Sequence, residues 1–132
     1  MPLQQVHTHP DPYAPYLLSQ AIRTGGLLFV SGQAAVGDDG AIVGHGDFDA
    51  QAEQAFRNLE RALRAGGSGL DRVAKVTIFL TSMEHFPKIV ALRRKWFSAP
   101  YPADTIVEVA ALYSPDAMIE IEAIAVATEA AQ

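Results

Sequence analysis

Met118-Ile119-Glu120-Ile121-Glu122-Ala123-Ile124-Ala125-Val126 is the stretch whose reading decides the fold. Side chains alternate along a strand, so Ile119, Ile121, Ala123 and Ala125 point one way, and Glu120, Glu122, Ile124 and Val126 the other. The run is rich in β-branched residues and predicts a strand over 118–126. Both of its faces carry apolar side chains, as expected of a sheet covered on both sides.

Working outward, Ser114-Pro115-Asp116 reads as a turn and residues 105–112 as the preceding strand. Residues 82–98 predict a helix, with Ser82 as N-cap, Pro87 early, and Pro100 and Pro102 as the stop. Phe86, Ile89, Val90, Arg93 and Phe97 share one face of it. Residues 72–80 read as a strand. The clearest helix is 49–65, where Ala52, Ala55, Phe56, Leu59, Ala62 and Leu63 form one apolar stripe. Asp47 or Asp49 can cap its start, and Gly66-Gly67 can end it. Two strand-like runs, 17–23 and 27–31, flank Thr24-Gly25-Gly26 and predict a hairpin. Val36-Gly37-Asp38-Asp39-Gly40 is a second turn signal, followed by a short strand at 41–43. The proline-rich stretch 7–15 reads as an extended, irregular arm.

The order ββ(β)αβαββ predicts an α+β domain with a mixed sheet and two helices on one face. A chain of 132 residues fits a single domain, 1–132. Hydrophobic residues make up 49% and charged ones only 19%, so apolar surface is left over for subunit contacts. With helices on one side only, neighbouring copies are expected to cover the other.

The formal net charge of −5 disfavours nucleic acid and anionic membrane surfaces as partners. The run Arg93-Arg94-Lys95 reads as the solvated face of a helix. There is no cysteine, which excludes disulfides, thiolate chemistry and cysteine zinc sites. Residues 1–15 have neither a basic n-region nor an apolar run, so no signal peptide is expected. No stretch approaches the roughly eighteen apolar residues of a membrane helix. The expected location is the cytoplasm.

Among residues that could carry chemistry, Glu120 comes first. A carboxylate amid β-branched residues in a doubly covered strand is costly to ionise, so its pKa should rise. That would suit a general acid/base acting on water or an imine nitrogen. The plainer alternative is a sheet-edge carboxylate or a structural ion pair. Glu122 shares the face, and two carboxylates cannot cheaply share one buried site. His7 and His9 lie two apart, with Asp11 following, while His45 and His85 stand elsewhere. They offer no third ligand at a diagnostic spacing, so no metal is expected. Ser31 precedes Gly32 without a G-x-S-x-G elbow, which argues against a hydrolase nucleophile. Gly32 instead marks a turn where a ligand can approach the backbone closely.

Several segments, in order, resemble the RidA/YjgF family over nearly the whole chain. They are Ala14-Pro15-Tyr16, Leu28-Phe29-Val30-Ser31-Gly32-Gln33, residues 51–63 with Asn58-Leu59, residues 73–80, and Tyr101-Pro102-Ala103. The most specific pair is Val107-Glu108-Val109-Ala110-Ala111-Leu112 and Ile119-Glu120-Ile121-Glu122-Ala123-Ile124-Ala125-Val126. The resemblance implies a chorismate-mutase-like fold, a homotrimer with clefts between subunits, and cofactor-free hydrolysis of reactive enamines and imines to ketones and ammonia. It assigns the water-positioning role to Glu120, a cleft tyrosine to Tyr16, and the cleft backbone to Ser31 and Gly32. In deaminase members an arginine two positions after the proline of the Pro-Ala pair grips the substrate carboxylate. Here that position is Asp104, with Ile106 two further on and Val90 where an asparagine is common on the second helix.

Two readings follow. In one, Glu120 activates water in a cleft retuned to another substrate, with Asp104 holding a cationic or hydrogen-bond-donating group between walls from Val90 and Ile106. In the other, the trimer is a non-catalytic small-molecule-binding or regulatory module. Arg23, Arg93 and Arg94 are the candidates to restore a positive charge.

Overall fold

In a computed structural model, residues 2–127 are described. The strands are β1 (Gln4–Val6), β2 (Ala21–Thr24), β3 (Leu27–Ala34), β4 (Val73–Leu80), β5 (Ala103–Glu108) and β6 (Ile119–Val126). They form one sheet in the order β1-β2-β3-β6-β4-β5. Only the β4–β5 pair is parallel, and the rest are antiparallel. Helices α1 (Phe48–Ala65) and α2 (Ile89–Trp96) complete the fold.

The alternation of β6 is as expected. Ile119, Ile121, Ala123 and Ala125 are buried, while Glu120 and Ile124 are half-buried and Glu122 and Val126 exposed. The buried side packs against α1, whose stripe of Ala52, Ala55, Phe56, Leu59, Ala62 and Leu63 lies in the same core. Asp47 caps α1 by accepting from the Ala50 N–H at 3.1 Å, and Gly66 closes it through its N–H to the Ala62 carbonyl. The Thr24–Leu27 hairpin also forms, with Gly25 and Gly26 supplying the positive φ its turn requires.

Five boundaries differ from the sequence reading. The strand expected over 105–112 runs over Ala103–Glu108 instead, because its ladder partner β4 ends at Leu80, opposite Glu108. The expected strand at 17–23 begins only at Ala21, because Leu17, at φ 60°, closes a 3₁₀ turn over Ala14–Tyr16. The short strand at 41–43 is reduced to a single bridge between Val36 and Ile42. Strand β1 was not expected at all; three residues are too few to show a pattern, and pairing with β2 defines it. The helix expected over 82–98 opens as a 3₁₀ turn, Met83–Lys88, which Ser82 caps by accepting from the Glu84 N–H at 3.2 Å. Three residues per turn instead of 3.6 shifts the phase. Ile89 and Phe97 are therefore buried, with Leu92 and Trp96 packed beside them, but Val90 and Phe86 face outward.

The sheet face away from α1 carries exposed Leu27, Phe29 (42% accessible) and Val126. No described helix is long and apolar enough to cross a membrane.

Candidate functional site

Between Val30 and Gln33 the register of β3 against β6 slips. Val30 pairs with Ala123 but Gln33 with Ile121, so three steps on β3 oppose two on β6. The extra residue is a β-bulge at Ser31-Gly32, a device that re-aims backbone beside functional sites. Glu120 lies next to it, in register with Ala34 on one flank and Phe79 on the other. A Cβ built on Gly32 would stand 2.8 Å from Glu120 Cδ, so a side chain there would push that carboxyl group from its place.

Buried polar side chains hold the bulge. Ser31 donates through its Ser hydroxyl to the Ser19 carbonyl at 2.6 Å, and its N–H donates to the Gln20 carbonyl. The Gln33 amide donates to Gln20 Oε1 at 3.0 Å and to the Ser31 carbonyl at 3.1 Å. The Gln20 amide donates in turn to Thr8, whose hydroxyl donates to the Pro10 carbonyl. This chain ties the N-terminal arm to the bulge. From behind, Asn58 on α1 donates to the carbonyls of Ala34 and Val36 at 2.9 and 2.8 Å. Gln51 on α1 accepts from the Met118 N–H and donates to the Asp116 carbonyl, steadying the approach to β6.

The arm, the bulge and the start of β6 enclose a cleft of about 550 Å³. Glu120, Ser31 and Gly32 form its polar floor, and Pro12, Tyr13, Tyr16 and Leu18 of the arm form one wall. Tyr113, from the turn before β6, stands at the rim. The Tyr13 hydroxyl donates to the Gly32 carbonyl at 2.5 Å. Burial raises the Tyr13 pKa well above the phenol range, and Glu120 adds to it. Burial, then repulsion from Glu122, pushes the Glu120 carboxyl above its ordinary range. Burial, Glu120 and Tyr16 likewise raise Tyr113. A carboxyl group whose pKa is raised in a largely apolar cleft is a stronger base when ionised, as a general acid/base requires.

Of the residues singled out from sequence, Tyr16, Ser31, Gly32 and Glu120 meet here. Val90, Asp104 and Ile106 do not line this cleft. Asp104 and Ile106 stand in register with core residues Val76 and Ile78, so they face the helix layer, opposite to Glu120. Asp104 accepts from Arg93 Nε on α2 at 2.7 Å, with side chains 12% and 29% accessible respectively. Its charge is thus matched within the subunit. Of the basic run read as a solvated helix face, Lys95 is exposed and pairs with Glu53, but Arg93 departs from that reading as the part-buried partner of Asp104. Tyr13 and Tyr113 were missed by the sequence reading. The only trace of Tyr13 is its place in the proline-rich arm, and nothing in the spacing marks Tyr113. Among the described residues no three His, Asp or Glu side chains are grouped to hold a metal ion.

Comparison with known proteins agrees with the motifs. The model of the family described as Endoribonuclease L-PSP matches residues 6–127. The chain belongs to that family, the RidA/YjgF family. Its relatives in the family include a RutC family protein of Pyrococcus horikoshii, 39% identical over 88% of this chain and 90% of that one. Another is named 2-iminobutanoate/2-iminopropanoate deaminase, from Dermatophagoides farinae, 35% identical over 89% of each chain. Among solved RidA/YjgF structures, RidA from the Antarctic bacterium Psychrobacter sp. superposes with a TM-score of 0.85. It is 33% identical, covering 93% of this chain and 98% of that one. Yeast Mmf1 gives a TM-score of 0.88 at 34% identity, over 96% and 100%. The α+β architecture is therefore that of the RidA/YjgF fold.

Proposed function

We propose that this chain is a RidA-like, cofactor-free hydrolase of a reactive enamine or imine, working as a homotrimer with its clefts at subunit boundaries. The observation that carries the reading is the half-buried Glu120 carboxyl group, its pKa raised, set against the glycine bulge of an otherwise largely apolar cleft. As carboxylate, Glu120 takes a proton from water while the water oxygen bonds to the imine carbon. The imine reacts in its protonated form, so the C=N π pair moves onto nitrogen and a neutral carbinolamine results. Glu120 then gives the proton it took to the amino nitrogen, the C–N bond breaks with its electron pair on nitrogen so that ammonia leaves, and the hydroxyl proton passes to the Glu120 carboxylate as the C=O bond forms. An enamine enters the same sequence after protonation at carbon. Water and one acid/base suffice, so no cofactor is required.

The open sheet face supports the assembly. Leu27, Phe29 and Val126 are exposed on it, and a partner subunit would bury them. Asp104 supports an altered substrate preference, because it stands where the deaminases of the family carry their carboxylate-gripping arginine. Its pairing with Arg93 on the helix side means that Asp104, Ile106 and Val90 would serve only a neighbour's cleft. The same substitution is what favours the second reading, a non-catalytic binding or regulatory trimer.

Release of ammonia from imines generated in place tests both readings. Glu120→Gln should lower turnover by ~10²–10⁴ while preserving assembly, and Glu122→Gln should change it little. Imines of the 2-aminoacrylate type should react poorly. Full turnover in Glu120→Gln would make Glu120 structural and favour the binding module.

A further inference from the structure

The described lining of the cleft has an uneven chemistry. Besides its tyrosines, its one ionisable side chain is Glu120, an acid, and no lysine, arginine or histidine is among the lining residues. The charge of the whole chain is −5. Tyr16 and Tyr113 stand at the mouth, 69% and 58% accessible in one subunit. They come from segments nearly a hundred positions apart in sequence, one in the proline-rich arm and one in the turn before β6. Leu18, Pro12 and Val36 extend the apolar wall between them and the floor.

We infer that the cleft is shaped for a carboxylate-free imine carrying an aromatic or aliphatic group, which Tyr16 and Tyr113 hold while the C=N carbon faces Glu120. Two aromatic faces grip a flat or apolar substituent by dispersion and area burial. The same faces, with Glu120 beneath, favour a protonated imine nitrogen over an anion. A substrate carboxylate would be desolvated beside Glu120 with no cation from this lining to meet it. Tyr113 is the specificity-determining residue of the pair, because it lines the cleft with both Glu120 and Tyr16 and comes from the turn that leads into the Glu120 strand.

This inference rests on the hydrolase reading for the reacting group but not for the pocket's preference, so binding and turnover are measured separately. The probes are 2-phenylethylamine, 2-phenylethanol and phenylacetate, which share a ring and differ in charge. Binding is followed on the full chain by calorimetry or ligand-observed NMR. The amine and the alcohol should bind at least about tenfold more tightly than phenylacetate. Tyr113→Ala should weaken the alcohol about tenfold, Tyr113→Phe should retain it, and sedimentation of both variants should match the parent. Phenylacetate binding as tightly as the alcohol overturns the inference, as does an absence of binding by all three. A Tyr113→Ala variant that binds normally, or that changes the assembly, overturns the role of Tyr113. If the probes bind in the expected order while no imine is hydrolysed faster than in buffer, the hydrolase reading fails and the cleft preference stands.

Discussion

Glu120 carries its burial as a pH-dependent cost. Its pKa is raised in the folded chain above an ordinary 4.5, by burial first and by Glu122 second. Between that ordinary value and the raised one, the folded state binds more protons than the unfolded state. Stability from this group is therefore fully present below pH 4.5 and is lost as pH rises through the folded-state value. Glu120→Gln should melt at a higher temperature than the parent at pH 8, with the gap closing toward pH 4. A melting series across that range checks it, and a gap that widens in acid would refute the burial argument. Gly32 makes the complementary case. Its bulge brings the backbone against the Glu120 carboxyl group, and a methyl group there would stand 2.8 Å from Cδ. Gly32→Ala should cost about 1–3 kcal/mol in chemical denaturation, as overpacking does. Adding Glu120→Ala should relieve most of that cost, and additive losses in the double variant would mean that the two do not touch.

Elements place these residues through their pairing. The bulge exists because β3 has one residue more than β6 between two ladder pairs, so Ser31 and Gly32 are carried out toward Glu120. Helix α1 then fixes the end of β3 and the loop beyond it through Asn58, whose buried amide donates to the Ala34 and Val36 carbonyls. On the far edge, α2 and β5 are joined by Arg93 and Asp104. Asp104→Arg alone would set two guanidinium groups together in a partly buried place and should cost about 2–3 kcal/mol. Arg93→Glu with Asp104→Arg restores the pair with its charges exchanged and should recover most of that loss. If the arginine position of the family is what matters for carboxylate substrates, the exchanged variant should also gain activity on carboxylate-bearing imines. About 1.4 kcal/mol of regained transition-state binding would read as a tenfold rate. No gain in a folded, assembled variant would place the altered preference in the cleft of Tyr16 and Tyr113 instead.

At the scale of the whole molecule, the sheet has one face under the helices and one bare. Phe29 and Ile124 are cross-strand neighbours on the bare face, with Leu27 and Val126 paired at the end of the ladder. An apolar ladder of this kind seeks a partner surface. Phe29→Glu should convert the proposed trimer to a monomer in sedimentation at micromolar concentration, because a carboxylate would be buried unpaired at each contact. A parent chain that already sediments as a monomer at that concentration would remove the assembly from the proposal.

The amino-acid sequence by itself determined the order of the main elements, the extent of α1, the alternation of β6 and the prominence of Glu120. Each of these is written in local periodicity, capping residues or a charged side chain among β-branched neighbours. The motifs also carried the family. Only the tertiary structure decided the rest. Strand β1 exists through its partner, the bulge through the register of β3 on β6, and the phase of α2 through the 3₁₀ turn before it. Tyr13 reaches the Gly32 carbonyl across nineteen positions, Tyr113 arrives from the other end of the chain, and Asp104 is matched by Arg93 on the opposite sheet face from Glu120. These are contacts between segments distant in sequence. Local pattern sets which way a side chain points along its own element, but pairing and packing choose which other element it meets.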